Sequence, residues 1–429
     1  MTKILIKNGR VIDPQAGIDG LRDILLENGK VSRLGGHLSS PGAKIIEAKG
    51  MLVMPGLIDM HVHLRDPGRP DKETIASGTR AAALGGFTSI CCMANTSPVM
   101  DNPAVVEYVL AKARQEGVVN VYPIAAVTKG LKGEEFAEMG RCAREGAIAF
   151  SDDGRPVMSA AMMRKALEYA KQFDKPIISH CEDINLSAGG SMNEGRVSTE
   201  IGLPGIPALA EEVMVARDIM MAKEYGRVHI AHVSTAGSVK LIKQAKQAGA
   251  DISCETCPHY FSLTDEAIRS YDTAAKVNPP LRTKSDQQAI IKALKIGIID
   301  VIATDHAPHT EEDKNVEFNL AATGLVGLET ALALVLTRLV AKKTLTLKQL
   351  VERMSSNPAK ILRFSHKGTL KPGSDADVII VDPKAEWVVD EKKFASKGRN
   401  TPFKGWKLTG KVVHTIVGGS IVVKDGKLT

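Results

Sequence analysis

Two histidines one residue apart, His61 and His63, stand in the run Pro55-Gly56-Leu57-Ile58-Asp59-Met60-His61-Val62-His63-Leu64-Arg65. Side chains on a β-strand alternate between faces, so residues i and i+2 point the same way. A strand carrying this pair aims two imidazoles at one point, which is half of a metal site. Arg65 follows the same parity and could hold an anion beside that metal. A lone pair of this kind is more often core or surface histidine, so the weight falls on its company.

That company sits at the ends of other apolar runs. Asp152-Asp153-Gly154, His180-Cys181-Glu182, His232-Val233-Ser234 and Asp305-His306-Ala307-Pro308-His309 each follow a stretch that reads as a buried strand. Imidazoles and carboxylates gathered at one face suit zinc or a similar divalent ion, with a position left open for water. With up to six ligands, two ions sharing a bridging carboxylate are conceivable. A metal lowers the pKa of a bound water to about 7, so such a site is built for hydrolysis.

The elements that position these groups can be read from the same pattern. Strands are expected over 52–64, 87–93, 119–127, 147–151, 176–180, 228–233, 251–255 and 299–304. Amphipathic helices are expected over 71–85, 102–117, 134–145, 158–173, 207–225, 235–248, 285–297 and 328–342. Eight strands, each followed by a helix, predict an α/β fold, a (β/α)8 TIM barrel, whose reactive residues lie at the C-terminal ends of its strands. The two ends of the chain read differently. Short strands with Gly turns such as Asn28-Gly29 and Gly418-Gly419 are hairpin signals. They predict a composite, β-sandwich-like small domain of residues 1–51 and 367–429 flanking a barrel of residues 52–366, with Met1–Gly9 as a strand and turn.

Composition narrows the class. The 429 residues are 44% hydrophobic, enough for a sizeable core. The formal charge of +7 comes from 56 basic and 49 acidic residues without a dense basic run, and only 4% of residues are aromatic, which disfavours nucleic acid as a partner. No apolar run reaches the roughly 20 residues of a membrane helix, and the first residues lack the apolar stretch of a signal peptide. The expectation is a cytoplasmic protein with reduced thiols. Cys254-Glu255-Thr256-Cys257 is a formal CxxC, but nothing else in the chain supports a structural zinc or redox role for it.

These motifs resemble the amidohydrolase superfamily, and within it the dihydroorotases of the longer bacterial type. The general marks are the run from Gly50 to His63 and Gly373-Ser374-Asp375-Ala376-Asp377-Val378. The more specific ones are His61 to Gly68, Asn95-Thr96, Ser151 to Gly154, Asn278-Pro279-Pro280-Leu281-Arg282 and Asp305 to His309. The resemblance covers nearly the whole chain. It implies reversible, zinc-dependent closure of N-carbamoyl-L-aspartate to L-dihydroorotate in pyrimidine biosynthesis. It places His61 and His63 on one metal, His180 and His232 on a second, Asp153 between them and Asp305 beside the first, with one or two ions per chain. Asp305 is implied as the general base and then acid. Arg65, Asn95 and His309 match the positions that hold the substrate carboxylate, His63 is implied as a further substrate contact, and Asn278, Thr323 and Gly324 match those lining the ring's other side. The polar segment 308–319 is implied as a loop over the site.

The resemblance is not uniform. Cys254 to Tyr260 looks more like the matching stretch of hydantoinases and allantoinases, where His259 reads as a core residue or a support rather than a ligand. Ala94 and Ala322-Thr323 stand where many dihydroorotases carry Pro and Pro-Phe. The alternative within enzymes is therefore another cyclic amidase of the hydantoinase or allantoinase kind. Those relatives are implied to use a carboxylated lysine as the bridge, and no lysine lies between Glu145 and Met163. A different class, an inactive structural partner of aspartate transcarbamoylase, is marked by lost metal ligands, and none is lost here. Association of an active chain with the transcarbamoylase, and a homodimer, are the partner expectations.

Overall fold

The computed structural model describes residues 3–429. Eight parallel strands form one ring: β1 Leu57–Val62, β2 Phe87–Cys92, β3 Asn120–Ala125, β4 Ala149–Phe150, β5 Ile177–Ser179, β6 Val228–Ile230, β7 Ile252–Thr256 and β8 Val301–Ile302. Neighbours pair in sequence order, and a parallel bridge between Val62 and His306 links the last strand to the first. The His63 amide donates to the His306 carbonyl at 2.8 Å across that seam. The α/β barrel expected from the eight-fold alternation is the architecture found.

Helices follow the strands at the expected places: α1 Ile75–Leu84, α2 Pro103–Glu116, α3 Met139–Glu145, α4 Ala160–Lys171, α5 Leu209–Ala222, α6 Ala236–Gln247, α7 Lys284–Ile296 and α8 Ala331–Val335. Their starts are chemically marked. Thr74, Ser159, Thr235 and Thr283 each accept a hydrogen bond from a first-turn amide, and Asn102 does so ahead of a proline at the first turn of α2. Each helix lays an apolar face on the ring. Met60, Cys91, Ile124, Ile178, Ala231 and Val301, drawn from strands all round it, form a separate buried cluster, the packing of a filled barrel.

The strand expected over 52–64 is two strands. Leu52–Pro55 leaves the ring and pairs with Lys3–Asp13 and Val378–Val388. The break falls at Gly56, where a Cβ would stand 2.0 Å from Thr88 Oγ1, so the chain passes β2 only because no side chain is there. Leu52–Pro55 thus belongs to a nine-stranded sheet that joins both ends of the chain. It holds Lys3–Asp13, Ile18–Glu27, Lys30–Gly35 and Lys44–Glu47 from the front, and Val378–Val388, Lys407–Val417, Ser420–Lys424 and Lys427–Leu428 from the back. Its own core includes Ile6, Ile24, Val53, Val378 and Ile416. The N-terminal strand runs on to Asp13, past the expected turn, while Met1 and Thr2 lie outside the described residues. No helix among the described residues is long and apolar enough to cross a membrane.

Candidate active site

All six expected ligands converge at the C-terminal ends of the strands. His61 is the penultimate residue of β1 and His63 follows that strand, Asp153 follows β4, His180 follows β5, His232 follows β6 and Asp305 follows β8. His61 Nε2 lies 3.3 Å from Asp153 Oδ1 and 3.4 Å from Asp305 Oδ1. His63 Nε2 lies 3.1 Å from Asp305 Oδ1 and 3.5 Å from Asp153 Oδ2. His180 Nδ1 and His232 Nε2 are 2.8 Å apart and each 3.6 Å from Asp153 Oδ1. Asp153 is the centre of the group, facing all four imidazoles.

Whether this set fits a metal is decided by its unsatisfied atoms. His61 Nε2 and Asp153 Oδ1 are buried, face each other, and have no hydrogen-bond partner. An orphaned buried donor or acceptor is costly, and a shared cation satisfies both at once. Charge gives the same answer. Burial would raise the Asp153 and Asp305 carboxyls, yet the surrounding histidines hold both well below the ordinary carboxylate range. Two buried anions with four imidazoles want positive charge between them, and a divalent ion supplies it with neutral histidines. His61, His63, Asp153, His180, His232 and Asp305 fit the group.

The ligand atoms are aimed by residues behind them. The His61 Nδ1–H donates to Glu255 Oε1 at 2.7 Å, leaving Nε2 for the centre. Glu255 also meets His229 Nε2 at 3.1 Å. Burial alone would raise the Glu255 carboxyl, but the two histidines hold it at about 2. His63 Nδ1 donates to Asn95 Oδ1 at 2.9 Å, and His180 Nε2 to Glu182 Oε2 at 2.8 Å. A carboxylate or carbonyl behind a ligating histidine fixes its tautomer and raises its basicity. Glu255→Gln should therefore weaken metal binding by roughly 10–100-fold, measured by competition against a chromogenic chelator. Unchanged affinity would remove Glu255 from this role.

Of the adjacent aspartates only Asp153 faces the histidines. Asp152 turns away and accepts from the Val127 and Thr128 amides, at 2.7 and 3.1 Å, and from the Thr128 hydroxyl. Burial pushes its carboxyl up to about 6. His306, next to Asp305, likewise faces away, toward Glu73 Oε2 at 3.2 Å. Cys257, His259 and Asp305 bring ligating atoms within 4.8 Å of one another, but burial raises the Cys257 thiol and pushes His259 down to about 4. Asp305 of this group also faces His61 and His63, so Cys257 and His259 adjoin the centre described above. Cys254 points elsewhere, toward the Ile298 carbonyl, so the formal CxxC does not converge.

Beside the centre opens a cavity of about 230 Å3. His63, Arg65, Asn95, Asp153, His180, His232, Asn278, Asp305, His309, Thr323 and Gly324 line it, so every residue expected to meet substrate faces one cavity, while His61 is not among its lining residues. Arg65 donates through Nε to the Pro308 carbonyl at 3.3 Å. His309 takes a hydrogen bond from Lys72 Nζ on Nδ1 at 3.1 Å and donates from Nε2 to the Thr323 carbonyl at 2.9 Å. Burial, then the cations Arg65, Lys72 and Lys314, push its imidazole down to about 3, so it is neutral. Asn278 Nδ2 is tied to Glu182 Oε2 at 2.9 Å. Thr323 is exposed, and its backbone carbonyl meets His309. At Gly324, with φ +133°, a Cβ would press to 2.6 Å from Ala307 Cβ.

Strain concentrates here. Arg65, His232 and Asp305 are non-glycine residues at φ +57°, +34° and +50°. Each such conformation costs about 1–3 kcal/mol and persists only where the surroundings impose it, commonly at functional sites. Segment 308–319 is well anchored. It holds a short helix, Glu311–Lys314, tied by Lys72 to Asp313 at 2.9 Å. Lys276 and Lys314 bond to backbone carbonyls of Phe318 and Ala322 at 2.7 and 2.6 Å.

Comparison with known proteins assigns this architecture. The Amidohydrolase family pattern matches residues 52–422. The chain is 59% identical over 424 residues to a dihydroorotase of Pelotomaculum thermopropionicum, covering 99% of both chains. It is 56% identical to those of Acetivibrio thermocellus, over 98% of this chain and 99% of that one, and Syntrophus aciditrophicus, over 99% and 100%. Among solved structures, the L-hydantoinase of Arthrobacter aurescens superposes with a TM-score of 0.90 at 29% identity, covering 100% of this chain and 98% of that one. The dihydropyrimidinase of Brevibacillus agri gives 0.87 at 26%, covering 100% and 96%. With its histidine–aspartate centre at the mouth of an eight-stranded barrel, the chain belongs to the amidohydrolase family and, within it, to the dihydroorotase group of cyclic amide hydrolases.

Proposed function

We propose that this site interconverts L-dihydroorotate and N-carbamoyl-L-aspartate, using one or two zinc ions held by His61, His63, Asp153, His180, His232 and Asp305. The observation that carries this reading is one cavity with the histidine–aspartate centre on one wall and Arg65, Asn95 and His309 on another. A cyclic amide that also bears a carboxylate is the substrate with a use for both walls. The names of the relatives at 56–59% identity support the same choice.

The cation's contribution is to polarise the ring carbonyl and to make a water acidic at neutral pH. The chain's own residues do the rest. Arg65 receives the carboxylate, for which a guanidinium is shaped to make paired, charge-assisted hydrogen bonds. His309, held neutral by burial and by the cations around it, sets an uncharged ring beside it, with its one N–H fixed on the Thr323 carbonyl. Asn278 and the backbone at Thr323 and Gly324 bound the ring's other side. Asp305, kept anionic, takes a proton from the attacking water and delivers it to the ring nitrogen as the amide bond breaks. In the biosynthetic direction the same carboxylate takes the ureido proton as the nitrogen bonds to the carboxyl carbon, and returns it to the departing oxygen, which leaves as water. Six free, buried cysteines suit a reducing, cytoplasmic setting. A homodimer and association with aspartate transcarbamoylase complete the reading.

The solved neighbours that are hydantoinases and a dihydropyrimidinase make the uncarboxylated ring the competing substrate. Asp153 at the centre, with no lysine between Glu145 and Met163, stands against it. A matched pair of acyclic substrates tests the choice. N-carbamoyl-L-aspartate should be cyclised, whereas N-carbamoyl-β-alanine, the same molecule without the second carboxylate, should be left unchanged. Cyclisation of the second alone would overturn the proposal.

A further inference from the structure

The strands Val378–Val388 and Lys407–Val417 belong to the sheet built from the two ends, yet the chain between them does not stay there. It crosses to the mouth of the barrel and delivers Asn400, a residue with 7% exposure, behind the substrate cavity. Asn400 Nδ2 donates to the carbonyls of Ala307 and Gly324, both at 3.0 Å. Asn400 Oδ1 accepts from the His309 amide at 3.1 Å, and its backbone carbonyl accepts from the Val326 amide at 2.9 Å. One primary amide thus uses both of its protons and its oxygen on two separate segments, 307–309 and 324–326. Ala307, His309 and Gly324 all line the cavity. The strap is seated tightly: at Gly398 a Cβ would stand 2.7 Å from Pro308 Cβ and 2.8 Å from Val326 Cγ1. Nearby, Ser396 bonds to Glu73, the carboxylate that faces His306.

We infer that Asn400 is a positioning residue for the substrate carboxylate pocket, setting the spacing between the His309 and Gly324 walls through hydrogen bonds that no other side chain on the strap supplies. The assignment of that pocket to a carboxylated ring rests on the function proposed above. The residue touches neither the substrate space nor the histidine–aspartate centre, so its effect should fall on binding rather than on the chemical step. Asn400→Ala leaves two buried carbonyls and one amide without their partner, and the two walls are then free to drift.

The test measures Asn400→Ala, and Asn400→Ser as the milder variant that retains one donor and one acceptor. The readouts are KM and kcat for L-dihydroorotate, bound metal, and amide hydrogen exchange without substrate. Expected for the alanine variant are a KM raised roughly tenfold or more, a kcat within about threefold and unchanged metal content, with an intermediate KM for the serine variant. Exchange should quicken in 307–309 and 324–326. A merely structural role would lower the folded fraction and leave KM of the folded molecules unchanged, and that result overturns the inference. If the unaltered protein does not turn over L-dihydroorotate, the substrate reading fails. Exchange then still decides the positioning role: faster in those two segments supports it, and unchanged overturns it.

Discussion

Replacing Asp305 by Asn should lower kcat for L-dihydroorotate by roughly 10^2–10^4-fold, the usual reach of a positioned general acid–base. The substitution keeps size and one oxygen, so His63 and His61 retain a neighbour at 3.1 and 3.4 Å. What it removes is the site for a proton. Asp305 is suited to that task because neighbouring histidines keep it anionic although it is buried, and because it lines the cavity. Metal content must be measured on the same sample. A large loss of kcat with metal retained supports the assigned role, whereas kcat within tenfold of the unaltered protein removes it.

Replacing Arg65 by Met should lower kcat/KM for L-dihydroorotate by roughly 10^2–10^3-fold, in line with deleting one partner of a desolvated, hydrogen-bonded charge pair. Methionine fills a similar length without a charge. Burial lowers the pKa of Arg65, but Asp305 and Asp153 stand close enough to favour its cation, so the guanidinium is a charged group inside a small cavity. The informative control is dihydrouracil, the same ring without the carboxylate, whose slow turnover should not fall further. Full activity on L-dihydroorotate would show that the carboxylate is held elsewhere. An equal loss on both rings would mean that Arg65 supports the centre and not the substrate.

These expectations draw on residues whose neighbourhood was legible in the sequence. His61 and His63 share a strand face, and Asp153, His180, His232 and Asp305 each end an apolar run. In a barrel the ends of all the strands meet, so one-dimensional spacing became a three-dimensional cluster. The features that escaped depend on partners far along the chain. Glu255 orients His61 across 194 positions, and Glu73 reaches Ser396 across 323. As single buried acids they carry no pattern. Asn400 lies in a stretch that reads as a connection between terminal strands, and only the folded chain shows where that connection goes. Gly56 divides an apolar run that alternation alone joins, because its obstacle, Thr88, belongs to the next strand. Asp152 and Asp153 differ by which one the Thr128 turn claims.

The measurement that bears most directly on the central claim is a paired determination on one purified sample: bound metal, and turnover of L-dihydroorotate, hydantoin and allantoin, before and after chelation. The account predicts turnover of L-dihydroorotate, far below it for the uncharged rings, lost with the metal and restored when zinc is returned. Turnover confined to the uncharged rings, or turnover of L-dihydroorotate that survives complete removal of metal, would contradict it.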